Sequence, residues 1–165
     1  QPRRQRQMCI RDSVQVQVLT QAREHLIKKT FESVADCKNV IIHLYNSTST
    51  LQRKVVFNKD KKGITKIATD GAELVKNLSS QMKNVNWQFQ YSPESFTGTE
   101  LEYALEVCNE VNKIWEPTNE IKTIMNLPAT VELSTPNIYA DQIEWMSNKL
   151  QERDKTILSL SLIHI

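Results

Sequence analysis

Three runs of polar side chains each follow a short apolar segment, and they hold most of the residues that could do chemistry. The runs are HLYNSTS at 43–49, YSPES at 91–95 and NLPATVE at 126–132. They offer an imidazole on His43, a carboxylate on Glu94, and hydrogen-bonding groups on Ser92, Asn126 and Thr130. In folds built from parallel strands, ligands gather at the carboxyl ends of the strands, where loops open to solvent above a rigid sheet. Three such clusters in succession favour a ligand site.

Each of these residues alone has a plainer explanation. A histidine beside an apolar run is commonly a structural residue, and only the place of His43 at a strand end favours a ligand-facing role. Pro93 restricts the backbone before Glu94 and could aim its carboxylate, but an acid here could also favour a helix N-terminus. Asn126 and the Thr130 hydroxyl could belong to a turn, and Pro128 between them makes a turn the default.

The elements that position these clusters are short β-rich runs alternating with amphipathic stretches. Strands are predicted at 14–19, 39–44, 87–91, 122–127 and 155–159. The second and fifth contain continuous apolar runs, which are typical of strands buried on both faces of a parallel sheet. Apolar residues three or four apart predict helices from Ile64 to Met82, from Leu101 to Trp115 and from Tyr139 to Leu150. A capping box at Thr97 to Glu100 predicts the start of the second helix.

This alternation predicts an α/β fold, either an open doubly wound sheet or a partial (β/α)₈ barrel with parallel strands and outer helices. Periodicity alone does not separate the two. About five strand–helix units are visible, whereas a closed barrel typically needs about 250 residues.

Composition excludes several classes of function. The 165 residues carry a net charge of +2, too small to indicate a nucleic-acid or membrane partner, and no apolar run has the roughly 20 residues of a membrane span. Three glycines cannot form a dinucleotide-binding fingerprint or a P-loop. Three separated cysteines indicate reduced thiols in the cytoplasm, and the histidines show no metal-ligand spacing. A basic stretch from Arg53 to Lys66 is expected to be a solvated face, with phosphate contact as the alternative.

Both ends of the chain differ from its middle. Residues 1–13 are rich in arginine and glutamine, and these residues together with 160–165 resemble translated adapter sequence. We expect both segments to be non-native, with a partial catalytic barrel at 14–159 between them. The alternative is a disordered basic tail and a natural C-terminal strand.

The middle of the chain resembles the 2-isopropylmalate synthase family, in order and almost without gaps. The resemblance lies in QVLTQAR at 17–23, HLYNSTS at 43–49, YSPESFT at 91–97, NLPATVE at 126–132 and TPNIYADQIEWM at 135–146. It implies a (β/α)₈ barrel of which this chain supplies about the third to seventh strands. It also implies a Claisen-type condensation of acetyl-CoA with 2-ketoisovalerate in leucine biosynthesis, by a homodimeric, cytoplasmic enzyme.

The resemblance also implies roles for individual residues. A keto-acid pocket is expected from Leu19, His43, Tyr45, Ser92, Asn126, Pro128 and Thr130, with Thr130 on the substrate carboxylate. Glu94 is expected near the reacting carbons as the candidate catalytic residue.

A divalent metal (Mg, Mn or Zn) polarises the keto acid in this family. Its ligands, an aspartate of the first strand and a His-x-His pair, have no counterpart here, because Ser161 and Ile163 occupy the pair's positions and His164 is out of register. The chain alone is therefore expected to be inactive and to supply no metal ligand. Homocitrate synthase, citramalate synthase, a hydroxymethylglutaryl-CoA lyase and a non-catalytic module built on a decayed barrel stay open as alternatives.

Overall fold

The computed structural model describes residues 14–162, and they form one sheet covered by helices. The strands are β1 (Val16–Gln21), β2 (Asn39–Ser47), β3 (Asn86–Glu94), β4 (Thr123–Ala129) and β5 (Thr156–Leu162). The α-helices are α1 (Glu24–Ser33), α2 (Thr50–Gln52), α3 (Lys61–Gln81), α4 (Leu101–Trp115) and α5 (Pro136–Lys149). A π-helical turn (Arg53–Phe57) continues α2, and 3₁₀ turns at Phe96–Gly98 and Arg153–Lys155 precede α4 and β5.

All five strands are parallel and lie in chain order, β1-β2-β3-β4-β5. A doubly wound sheet reverses its strand order at a switch point, and this order has no reversal. Consecutive right-handed crossovers put every connecting helix on the same face of the sheet, as in a barrel. The prediction of a partial (β/α)₈ barrel is therefore confirmed.

Alternation along each strand divides the sheet into an apolar face and a face that carries the site. Val40, Ile42 and Leu44 of β2 are fully buried in the core with helix residues such as Ile64 and Val107. The residues between them, including His43, face the other side because successive side chains point to opposite faces. The helices thus cover one face and leave the other free to form a cavity.

The predicted helices are confirmed, and α1 is one that the periodicity did not predict. Thr135 is the N-cap residue of α5 with Pro136 in its first turn, a place that proline favours because its missing N–H has no partner there. No helix of the described residues is long and apolar enough to cross a membrane.

Several local predictions were wrong. The strands β2, β3 and β4 end two or three residues later than expected, so the first four or five residues of each polar cluster belong to a strand. Pro128 lies within β4 and pairs with Ser161, which excludes the default turn. The backbone pairing of β3 with β4 is limited to residues 90–91 and 124–125, so at Pro128 the strand is paired on the β5 side alone, as at the edge of a sheet, where proline is tolerated.

The predicted capping box was also wrong. Helix α4 begins at Leu101 with Glu100 as its N-cap residue, and no side chain caps it. The Thr97 hydroxyl donates instead to the Val131 carbonyl, and the Glu100 carboxylate binds Arg53. Arg53 is therefore not part of a solvated face, since only 6% of it is exposed.

Residues 1–13 and 163–165 lie outside the described residues. Strand β5 continues through residues 160–162. The non-native origin of both end segments stays a prediction.

Candidate active site

A cavity of about 230 Å³ opens at the carboxyl ends of all five strands. Every site residue expected from the sequence lines it, together with Ser161 of β5: Leu19, His43, Tyr45, Ser92, Glu94, Asn126, Pro128 and Thr130. Larger cavities lie elsewhere, including one of about 530 Å³ around Trp87 and Trp115 near the amino ends of the strands. Convergence of polar groups, not volume, distinguishes the smaller one.

Strand geometry explains why these side chains converge. Residues two apart on one strand share a face, as do His43 and Tyr45, or Ser92 and Glu94. Parallel register aligns the strands sideways, so that Leu19 lies beside His43 and Tyr45 beside Ser92. The site is thus a patch of the sheet's free face at its carboxyl edge.

A chain of hydrogen bonds crosses four strands, β1 to β4, in the floor of the cavity. The Asn126 side-chain amide donates to Ser92 Oγ over 2.9 Å, and His43 Nε2 lies 2.6 Å from the same oxygen. Gln17 Nε2 approaches His43 Nδ1 at 3.1 Å. If Gln17 donates to Nδ1, the neutral ring carries its proton on Nε2 and donates it to Ser92. The Ser92 oxygen then accepts two bonds, and its own hydrogen can donate toward the cavity.

Burial changes the protonation of two groups in the cavity. Desolvation lowers the pKa of His43 to about 4, so the imidazole is neutral near pH 7. Desolvation also raises the pKa of the Glu94 carboxyl, because burial disfavours its charged form. The imidazole is therefore neutral, and the carboxyl holds a proton more readily than an exposed one. Both groups can accept or donate protons in the cavity without forming an ion pair with each other.

The peptide after Glu94 is tied to the next strand. The Ser95 N–H donates to Thr130 Oγ1 over 3.1 Å, which fixes the loop after β3 to the loop after β4. Ser95 adopts a left-handed conformation with φ 57°, which costs a non-glycine residue about 1–2 kcal/mol and persists where surrounding contacts impose it.

Residues 14–162 alone do not provide a ligand set for a metal ion. Among residues 14–162, no group of three or more His, Cys, Asp or Glu side chains could hold one. No chemical step is therefore assigned to a metal within this part of the chain.

Sequence reasoning missed Gln17, Gln90 and Ser161. Gln17 and Gln90 contact His43, and Ser161 completes the cavity wall on β5. Alternation from His43 would have identified the two glutamines, since Gln90 pairs with His43 in register and Gln17 lies two residues before Leu19.

The sequence pattern of the HMGL-like family matches residues 5–164. The chain belongs to the HMGL-like family. Enzymes named 2-isopropylmalate synthase are similar to it. The one from Clavibacter michiganensis subsp. michiganensis is 58% identical over 152 residues, which are 92% of this chain and 26% of that enzyme.

Two further relatives with that name are equally similar. The one from Corynebacterium glutamicum is 58% identical over 151 residues, 92% of this chain and 24% of its own length. The one from Clostridium acetobutylicum is 58% identical over 153 residues, 92% of this chain and 27% of its own length. The chain thus spans about a quarter of the length of these curated relatives of the HMGL-like family.

Proposed function

We propose that this chain forms the keto-acid site of a 2-isopropylmalate synthase. The reaction condenses acetyl-CoA with 2-ketoisovalerate and releases 2-isopropylmalate and CoA, the first committed step of leucine biosynthesis. The observation that carries the proposal is that all eight expected residues line one cavity. The 58% identity to enzymes with that name supports it.

The polar side of the cavity suits the carboxylate and ketone of a 2-keto acid. Thr130 Oγ1 already accepts a bond from the Ser95 N–H, so its hydrogen is available to a substrate carboxylate. The hydroxyl of Ser92 can donate beside it, with its oxygen already bonded to Asn126. Both donors are oriented by the protein before substrate arrives, which reduces the cost of binding.

The apolar side suits a small branched chain. Leu19 lines the cavity, and 58% of it is exposed to solvent. A leucine side chain in this position offers an apolar surface to a ligand. Tyr45 and Pro128 line the same cavity. Covering a leucine with the isopropyl group of the substrate would be favoured by about 1–3 kcal/mol, because both surfaces leave water.

Glu94 is the proposed catalytic residue. Condensation requires a proton to leave the methyl group of acetyl-CoA, and a base works best when its pKa lies near the working pH. Burial raises the pKa of Glu94 in that direction. In this proposal its carboxylate orients or relays that proton at the rim of the keto-acid cavity.

The remaining expectations complete the proposal. A divalent metal (Mg, Mn or Zn) would belong to the complete enzyme, bound by residues outside 14–162. The complete enzyme would be a homodimer in the cytoplasm. Cys37 and Cys108 are both free thiols, which is compatible with a reducing compartment.

The test is a chimera in which residues 14–159 replace the matching segment of the Corynebacterium glutamicum relative. The purified chimera should release CoA thiol from acetyl-CoA when 2-ketoisovalerate is added. Glu94→Gln should lower kcat by about 10²–10⁴-fold, the usual contribution of a general base.

Gln88→Ala is the matched control, because Gln88 lies on the same strand and face, roughly 20 Å from Glu94. It should retain activity. Equal losses in the two variants would contradict the role of Glu94, and no thiol release by the unsubstituted chimera would contradict the proposed function.

A further inference from the structure

Arg53 is a buried cation outside the cavity. Only 6% of it is exposed, and its guanidinium binds the Glu100 carboxylate with two bonds of 2.8 and 2.7 Å. The guanidinium carbon lies 4.9 Å from the centre of the Tyr103 ring. The bonds from Arg53 hold the pKa of Glu100 at about 2, so this carboxylate stays charged. Arg53 therefore joins the loop after β2 to the start of helix α4.

The same guanidinium also fixes the backbone of Thr48, the residue after β2. Arg53 Nη1 donates to the Thr48 carbonyl over 2.8 Å. The Thr48 N–H in turn donates to the Glu94 carbonyl over 3.2 Å, and Thr48 is completely buried. Only Thr48 thus stands between Arg53 and the peptide of Glu94.

The side chain of Thr48 is also linked, through Thr99, to Ser95, the residue that follows Glu94. Thr99 Oγ1 donates to the Ser95 carbonyl over 3.0 Å and lies 2.8 Å from Thr48 Oγ1, and the Thr48 hydroxyl lies 3.4 Å from the Glu94 carbonyl. Contacts from Thr48 and Thr99 therefore fix the carbonyls of Glu94 and Ser95. These contacts on both carbonyls hold Ser95 in its left-handed conformation, at the point where the chain leaves β3.

We propose that Arg53 is a positioning residue for Glu94: through Thr48 it fixes the Glu94 peptide and so the place of the Glu94 carboxyl at the cavity. Arg53 does not line the cavity, so it acts without touching substrate. The inference rests on the proposed function for its kinetic consequence but not for its structural one. An arginine is required because its planar guanidinium donates hydrogen bonds to Glu100 and to Thr48 at the same time. The ammonium group of a lysine is a single point of charge and does not reproduce this geometry.

The kinetic test uses Arg53→Lys in the chimera described above. A displaced catalytic group costs rate while leaving substrate contacts intact, so kcat should fall by about tenfold to a hundredfold. The KM for 2-ketoisovalerate should change by a smaller factor than kcat, since His43 and Asn126 keep their places.

The matched control is Arg153→Lys. Arg153 also donates to a backbone carbonyl, that of Thr156, over 2.7 Å, but at the amino end of β5 and far from Glu94. Its substitution should leave kcat unchanged. A fall in kcat of the same size in both arginine variants would show a general loss of stability and overturn the proposal.

A double-substitution cycle separates positioning from a merely structural role. In a Glu94→Gln background, Arg53→Lys should cause little further loss, because the group that it positions is already gone. A further loss as large as in the unsubstituted chimera would overturn the proposal. Glu100→Gln, which removes the charge that holds the Arg53 guanidinium in place, repeats the cycle if the arginine variant does not fold.

Crystal structures of the variants provide a readout that does not depend on activity. Arg53→Lys should displace the Glu94 carboxyl and Ser95, and Arg153→Lys should not. If the unsubstituted chimera has no synthase activity, the proposed function fails while this displacement still supports the positioning role. An unmoved Glu94 in the Arg53→Lys structure overturns that role whatever the activity.

Discussion

Ser92→Ala removes the atom on which the hydrogen bonds of the cavity floor meet. Ser92 is 3% exposed, and its Oγ lies 2.9 Å from the Asn126 amide and 2.6 Å from His43 Nε2. The substitution deletes one oxygen and changes the volume little. Its effect therefore comes from the polar groups that lose their partner.

Losing the Ser92 oxygen costs the Asn126 amide more free energy than the His43 ring. Asn126 is 4% exposed, so its amide would be left buried without an acceptor at a cost of about 1–3 kcal/mol. The ring of His43 is only half-buried beside the cavity, and water entering there can replace the lost oxygen. We therefore expect a loss of about 1–3 kcal/mol in the local unfolding free energy of β3 and β4, from the single buried amide.

Hydrogen exchange of backbone amides in β3 and β4 measures this local free energy in the chimera. The KM for 2-ketoisovalerate should rise by about tenfold, equivalent to about 1.4 kcal/mol, because one oriented donor is lost. Ser159→Ala is the matched control, since Ser159 pairs with Asn126 in register on the neighbouring strand. It should change stability by less than about 0.5 kcal/mol. Equal exchange rates and equal KM values in the two variants would refute the account of the network.

Two further predictions concern protonation and packing. Because the folded-state pKa of His43 is lowered from 6.5 to about 4, the unfolded state binds a proton first, and stability should fall as pH drops through this window. A pH titration of unfolding should show this loss, and His43→Asn should remove it; an unchanged titration in the variant would contradict the burial of the ring. Gly71→Val should destabilise by about 1–3 kcal/mol in thermal unfolding, because a Cβ there would lie 3.1 Å from Ala22 Cβ and 3.3 Å from a Leu44 methyl. Full stability of this variant would show that helix α3 can move away from the sheet.

The sequence predicted the parallel sheet because its buried strands are short, apolar and separated by well-patterned helices. Distinguishing a barrel from a doubly wound sheet needed strand order, which no local pattern contains. The strand ends were placed too early because polar residues such as Tyr45 and Ser92 were taken to end the strands. In a barrel, polar side chains at the carboxyl ends still belong to strands, since they face a cavity and not the core.

The candidate site was predictable in composition but not in its bonding. The resemblance supplied Leu19 and Tyr45, which no chemical pattern marks. The bonds of Ser92 depend on the register of three strands, and register is fixed by packing across the sheet. Arg53 was misjudged because a charged run is usually solvated, whereas its ion pair with Glu100 depends on a residue 47 positions away.

The keto-acid preference of the chimera tests the central claim most directly. Values of kcat/KM for 2-ketoisovalerate, pyruvate and 2-ketoglutarate should be compared by thiol release, with the product identified by mass spectrometry. We expect 2-isopropylmalate as the main product and at least about a tenfold preference for 2-ketoisovalerate. The reason is that Leu19, Tyr45 and Pro128 line an apolar wall, against which each additional methyl group of the substrate improves binding. A preference for pyruvate or 2-ketoglutarate, or no condensation product where the unmodified relative makes one, would contradict the account.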